Sequence, residues 1–301
     1  MTDESRRQDT PDNPLFSDSP GTFVGDFSYV GEATTPLFAD KLPSDSSPSN
    51  FEDAGGLRKS SQDGARRLTV VHLYPQEMNI YGDTGNRLVL QKRAEWRGFD
   101  VQVELVGVGD IIPSEADIII GGGGQDAGQG QIQDDLAQKA PILKKMAEEG
   151  VVMLMICGMY QLFGRAFTTN AGEVIKGIGV LPLETVGGDT RMIGNTTYDT
   201  PFGTVVGYEN HSGITTLDDP ALAFGTVTRG EGNNGQDKTE GCRLYNVFGT
   251  YSHGPVLVKN PVFADELLRL ALSRRYDNVE LPPLDDTLEL SAHHTAETRP
   301  R

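Results

Sequence analysis

The chain has 301 residues, 37% of them hydrophobic, with a mean hydropathy of -0.36 and a formal net charge of -17. That balance argues against a nucleic-acid-binding face and against adhesion to anionic headgroups, and no run of about eighteen apolar residues is present to span a bilayer. Two cysteines, Cys157 and Cys242, make no disulfide framework and fit a reducing, cytoplasmic compartment, and the start MTDESRRQDTPDNP lacks the apolar stretch of a signal peptide.

Residues 1–66 are rich in Ser, Asp, Pro, Gly and Thr, with apolar residues only as scattered singles such as Leu15, Phe23, Tyr29 and Phe51. This composition predicts a disordered acidic tail. A strand is expected over Leu68–Pro75, then a helix over Gly85–Arg97, capped by Asp83 or Thr84, with Leu88, Val89 and Trp96 as candidate core residues. Val101–Val108 reads as a second strand and Asp117–Gly124 as a third, ending in four glycines. A helix follows over Ile132–Glu149, with Leu136, Ile142, Leu143 and Met146 as its apolar stripe.

Val151–Ile156 is a continuous apolar run, the pattern of a strand buried on both faces. Cys157 and Gly158 come next, and then Met159, Leu162 and Phe163 at helical spacing. Cys157 therefore sits where a buried strand turns into a helix, a place that lifts a nucleophile out of the sheet and favours its thiolate. The bland alternative is a buried structural cysteine. From Gly177 onward short strand-like pieces predict antiparallel additions to the sheet. Asn246–Leu257 reads as a strand carrying His253, and Asn260–Arg274 as a last helix with Phe263, Leu267 and Leu268 on its buried side. Residues 276–301 are expected to form a second disordered tail. The alternation of strands and helices over 67–275 predicts an α/β domain: a mostly parallel sheet flanked by helices.

Ligands of such sheets bind beyond the carboxyl ends of the strands, where the four glycines and Cys157 both fall. Bare backbone amides beside a thiolate suit an oxyanion hole, and a cysteine nucleophile needs a base, normally histidine. His293 and His294 lie in the expected tail, and His72 lies inside the first strand. His211 and His253 remain, and spacing does not separate them. No metal-ligand spacing and no phosphate loop occurs.

The set ICGMYQLFG, GGGGQD and GTYSHGP resembles class I glutamine amidotransferases of the cobyric-acid-synthase-like branch, over about Leu68–Leu272. More narrowly it resembles the GatD group, with NIYGDTGN, GTVVGYENHSG and GNNGQDKTEG as supporting stretches. These are glutaminase subunits that pair with a Mur-ligase-like protein, MurT, to amidate the D-glutamate of lipid II. The resemblance implies the class I amidotransferase fold, with Cys157 as the nucleophile and His253 as its base. It implies that Arg191 binds the substrate glutamine, that Gln161 contacts it, and that Gly123 or Gly124 with Gly158 holds the oxyanion. It implies no cofactor on this chain, with ATP and Mg on the partner ligase. Rivals are a glutaminase for another acceptor, such as a cobyrinate-like corrin, and a non-catalytic scaffold subunit.

Two departures stand out. The cysteine is flanked by Met155 and Met159 where the family pattern has small residues, and Pro255 stands where a carboxylate follows the histidine by two. The resemblance therefore implies a Cys–His dyad, with an acidic residue from MurT as the candidate third member and a poor glutaminase as the expectation for the isolated chain. Asp83–Asn86 is read as a helix cap and turn, and His211 as structural or near the substrate.

Overall fold

The computed structural model describes residues 66–277 and 280–300. The expected N-terminal tail falls almost wholly outside them. Strand β1 (Arg67–Leu73) is followed by helix α1 (Thr84–Glu95), strand β2 (Asp100–Val106) and strand β3 (Ile118–Gly121). Helix α2 (Asp126–Glu148) leads to strand β4 (Val152–Ile156) and the short helix α3 (Gly158–Phe163). Ile118–Ile120 and Val152–Ile156 have no polar side chain to turn toward water, and both strands are buried on both faces.

Six short or long strands then follow in order: β5 (Ala166–Thr168), β6 (Val174–Lys176), β7 (Leu183–Thr200), β8 (Gly203–Leu217), β9 (Gly225–Arg229) and β10 (Thr239–Glu240). Strands β11 (Cys242–Leu244) and β12 (Val247–Thr250) precede helices α4 (Pro261–Arg275) and α5 (Thr287–Thr298).

The first sheet has the order β11-β12-β4-β3-β1-β2 and is parallel except for β11. The other antiparallel strands do not extend it. They build a second sheet, β10-β9-β7-β5-β6, with β8 paired to β7. The long β7–β8 hairpin slips register between Gly187 and Met192, so that Gly188–Arg191 face Ser212 alone. An aromatic cluster of Phe202, Phe224, Phe248 and Phe263, with centroids 5.0 to 6.3 Å apart, packs residues of both sheets and α4 together.

Three expectations change. The strand carrying His253 stops at Thr250, so His253 lies in the loop beyond it. Leu88 and Trp96 are 44% and 63% exposed; α1 packs through Leu90 and Ala94 instead. The C-terminal segment holds α5 rather than a structureless tail. It is preceded by Asp286, whose carboxylate takes a two-pronged bond from the buried Arg93, at 2.6 and 2.9 Å, while Arg93 grips Asp265 of α4 at 2.6 and 2.8 Å. His293 Nδ1 donates to the Lys259 carbonyl at 2.8 Å, which seats α5 on the loop before α4. Among the described residues no helix is long and apolar enough to cross a membrane.

Candidate active site

Four adjacent parallel strands, β12, β4, β3 and β1, release their carboxyl ends side by side. Each contributes one wall of the site, as open α/β sheets do where strand order reverses. Strand β4 ends in Cys157, β3 in the glycine run, β12 in the loop to His253, and β1 in the loop Tyr74–Asp83.

Cys157 sits at φ 50° and ψ -104°, a left-handed conformation that a side chain rarely adopts. Its amide donates to the Thr250 carbonyl at 2.9 Å, so the turn is fixed against the next strand. This is the sharp strand-to-helix elbow expected from the sequence, formed despite the flanking methionines. Met155 and Met159 bend around Gly121, where a Cβ would meet their side chains at 2.9 and 2.8 Å.

His253 is buried and held by a two-way backbone pairing with Tyr208 of β8, at 2.8 and 3.2 Å. A Cβ on Gly123 would meet His253 Cε1 at 2.7 Å and Cys157 Cβ at 3.5 Å, so imidazole and thiol both close on this one bare backbone position. Burial opposes a charge on His253. The Cys157 sulfur and the Asp83 carboxylate outweigh it and hold the imidazole proton up to about 10. The arrangement favours an imidazolium beside the Cys157 sulfur.

His211, the other candidate, has a different environment. Its ring stacks on Tyr251 with centroids 3.5 Å apart, and Nδ1 donates to the Gly213 carbonyl at 2.9 Å. Burial pushes its pKa down to about 3, so it is a neutral wall of the site. The structure thus separates the two histidines that spacing did not.

A cleft of about 390 Å³ opens over Cys157, lined also by Gly124, Gln161, Arg191, Asn210 and His211. Arg191 comes from the slipped register of the hairpin, a device that re-aims a side chain. Its Nε donates to Asn210 Oδ1 at 2.5 Å and its Nη2 to the Tyr81 hydroxyl at 3.4 Å. Gln161 is buried in the wall, its oxygen accepting from Gln129 Nε2 at 2.8 Å and its amide donating to the Tyr251 hydroxyl at 3.2 Å.

The glycine run divides. The Gly123 amide donates to Asp83 Oδ2 at 2.7 Å, so of the two glycines the resemblance offered for the oxyanion, Gly123 is already engaged. The amides of Gly124 and Gly158 take no partner among the described residues, and a Cβ on Gly158 would lie 3.0 Å from the Gly124 nitrogen. Those two amides are the pair placed to receive a negative oxygen.

Sequence reasoning missed Tyr81 and Asp83. Asp83 caps α1 with no side-chain bond. Its Oδ2 instead lies 3.5 Å from His253 Nδ1, with both side chains buried. It is thus a carboxylate of this chain that lies beside the imidazole. The signal was present in NIYGDTGN, one of the stretches that carried the resemblance.

Residues 69–261 match the family described as CobB/CobQ-like glutamine amidotransferase domain. The chain is 38% identical over 227 residues to the lipid II isoglutaminyl synthase (glutamine-hydrolyzing) subunit GatD of Staphylococcus aureus, a match covering 75% of this chain and 93% of that protein. The chain belongs to this family, in its GatD branch. The GatD subunit of Streptococcus pneumoniae is also 38% identical, over 239 residues, covering 76% of this chain and 91% of that one. A probable cobyric acid synthase of Methanococcus maripaludis is a more distant family relative, 31% identical over 160 residues, a match covering 48% of this chain and only 32% of that longer protein.

Proposed function

We propose that this chain is the glutamine-hydrolysing subunit of a lipid II isoglutaminyl synthase, passing ammonia to a MurT-like ligase that amidates the D-glutamate of the peptidoglycan stem peptide. The observation that carries the chemistry is Cys157, strained at the end of β4 beside His253 and open to a cleft that also holds Arg191. The acceptor and partner are inferred from the two GatD relatives, which this chain matches over nine-tenths of their length.

In this reading Arg191 pairs with the α-carboxylate of glutamine, offering a two-pronged donor set. Gln161 lies along the bound side chain. The Cys157 thiolate attacks Cδ, and the displaced electron pair moves onto oxygen, facing the amides of Gly124 and Gly158. The imidazolium of His253 gives its proton to the amide nitrogen, the C–N bond breaks and ammonia leaves. A γ-glutamyl thioester remains. Water then adds to it as His253 takes the water's proton, the C–S bond breaks, and glutamate departs. ATP, Mg and lipid II are assigned to the partner, and no cofactor to this chain.

The test is glutamate release from glutamine by the full chain with its co-expressed ligase, together with amidation of lipid II. Activity lost in Cys157→Ser and in Arg191→Ala is expected. Undiminished glutamate release from Cys157→Ser, or ammonia delivered to a corrin acceptor in place of lipid II, would overturn the reading.

A further inference from the structure

We infer that Asp83 is the carboxylate that orients His253, so that the third member of the catalytic set comes from the loop after β1 of this chain. The inference rests on the assignment of Cys157 and His253 as nucleophile and base, and it replaces the expectation that a partner supplies the acid.

Asp83 is fully buried, and its Oδ2 lies 3.5 Å from His253 Nδ1. The same oxygen accepts the Gly123 amide at 2.7 Å, which fixes the side chain's rotamer and its aim. Neither Asp83 Oδ1 nor either ring nitrogen of His253 has a hydrogen-bond partner among the described residues. Buried polar atoms are rarely left so, and a carboxylate away from water needs a positive or proton-bearing neighbour. A shift of a few tenths of an ångström closes the 3.5 Å gap to a hydrogen bond, and such contacts in ligand-free active sites are commonly long.

The chemistry agrees. An acid on Nδ1 holds the proton there and leaves Nε2 to face the sulfur, the tautomer that a base for Cys157 needs. The position two residues after the histidine cannot supply it, because Pro255 packs against α1. A Cβ on Gly85 would meet Pro255 Cγ at 2.3 Å. That contact presses the segment Asp83–Gly85 against His253–Pro255. Among the described residues Asp83 is the one carboxylate named as acting on His253, beside the Cys157 sulfur, the Tyr81 ring, which contacts the imidazole, and the neutral His211.

Asp83 is thus a positioning residue, acting through His253. Asp83→Asn separates this role from support of the Gly123 loop, since its amide oxygen in the place of Oδ2 can still accept the Gly123 proton while the negative charge beside Nδ1 is gone. The experiment uses the full chain, alone and co-purified with its ligase, with glutamine as substrate. For Asp83→Asn, kcat falls by about 10²–10⁴-fold and KM stays within about threefold. The rate of Cys157 alkylation by iodoacetamide, followed against pH, moves its midpoint up by about one unit or more as the imidazolium loses its partner. A kcat within about fivefold of wild type with an unchanged alkylation midpoint overturns the inference, and so does full recovery when the ligase is added. Should Asp83→Asn not fold, nitrogen NMR of the wild-type histidines decides: His253 doubly protonated at about pH 8 supports the inference, and a neutral Nε2–H ring overturns it. Absence of any glutamine hydrolysis in the wild type would count against the function proposed above, while the alkylation midpoint would still report on Asp83.

Discussion

The ring of Tyr81 lies against the imidazole of His253, with centroids 4.3 Å apart and planes tilted by 56°. The same residue receives Arg191 Nη2 on its hydroxyl at 3.4 Å. Tyr81 therefore joins His253 to Arg191, the base and the glutamine-binding cation of the proposed function. Tyr81→Phe keeps the cover and loses the tether, so KM for glutamine should rise by about two- to fivefold with little change in kcat. Tyr81→Ala removes both, and kcat/KM should fall by about 10- to 100-fold. Steady-state glutamate release measures both, and a Phe variant more impaired than the Ala variant would contradict the assignment.

Gly123→Ala should be nearly silent in stability and severe in activity. Its methyl group would stand 2.7 Å from His253 Cε1, and the imidazole must turn aside. A displacement near 1 Å can cost about 10²-fold in rate. The check is a kcat loss of that order with a thermal midpoint close to wild type.

Acid should destabilise the domain before its carboxylates titrate. His72 is fully buried on β1, and burial first, then Arg87, push its pKa down to about 4; His211 is pushed down to about 3. Both are neutral when folded and take a proton when unfolded below the usual histidine value near 6.5. Their stabilising contribution is therefore complete above about pH 6.5 and is lost as pH falls toward 4 and then 3, at up to about 1.4 kcal/mol per pH unit for each. His253 has the opposite sign: raised to about 10, its contribution is complete below about pH 6.5 and is lost on the way to 10. Urea unfolding from pH 4 to 10 should show both flanks, with His72→Leu flattening the acid one.

Arg93 is 3% exposed and holds Asp265 and Asp286 together. Its charge pulls the Asp265 carboxyl below its usual range against the opposing effect of burial. Arg93→Met leaves the partly buried Asp286 without its cation while Asp265 keeps Arg97 at 2.6 Å, and up to about 3 kcal/mol of stability should be lost. Because Asp286 leads into α5, amide exchange over Thr287–Thr298 should rise more than over α4. Equal protection in the variant would show that α5 is held by His293 and its neighbours alone.

The elbow at Cys157 was legible because six apolar residues in a row admit few readings besides a buried strand, and a glycine directly after the cysteine marks the turn. The choice between His211 and His253 was not legible from spacing, since in sequence both read as lying near strand ends with glycine beside or close to them. Their difference lies in what covers each ring: Tyr251 for one, Tyr81 and Asp83 for the other. Asp83 was misread because its local setting, just before a helix, has a sufficient local explanation, and its real partner is 170 residues away. Leu88 and Trp96 were misread because α1 is apolar on its outer face as well as its inner one, so periodicity did not say which side is covered. Helix α5 escaped notice because none of its residues is buried and its hold on the domain comes largely from ion pairs and polar bonds at its ends.

The bond from the Cys157 amide to the Thr250 carbonyl ties Cys157 to the strand that delivers His253 three residues later. Cys157 and the loop that carries His253 consequently spring from two paired strands, β4 and β12. The rest of their surroundings comes from the loop Tyr74–Asp83, which brings Met78 against Gly124, Tyr81 over the imidazole and Asp83 behind it. Substitutions in that loop should therefore change the surroundings of the Cys157–His253 pair while leaving the β4–β12 pairing beneath it untouched.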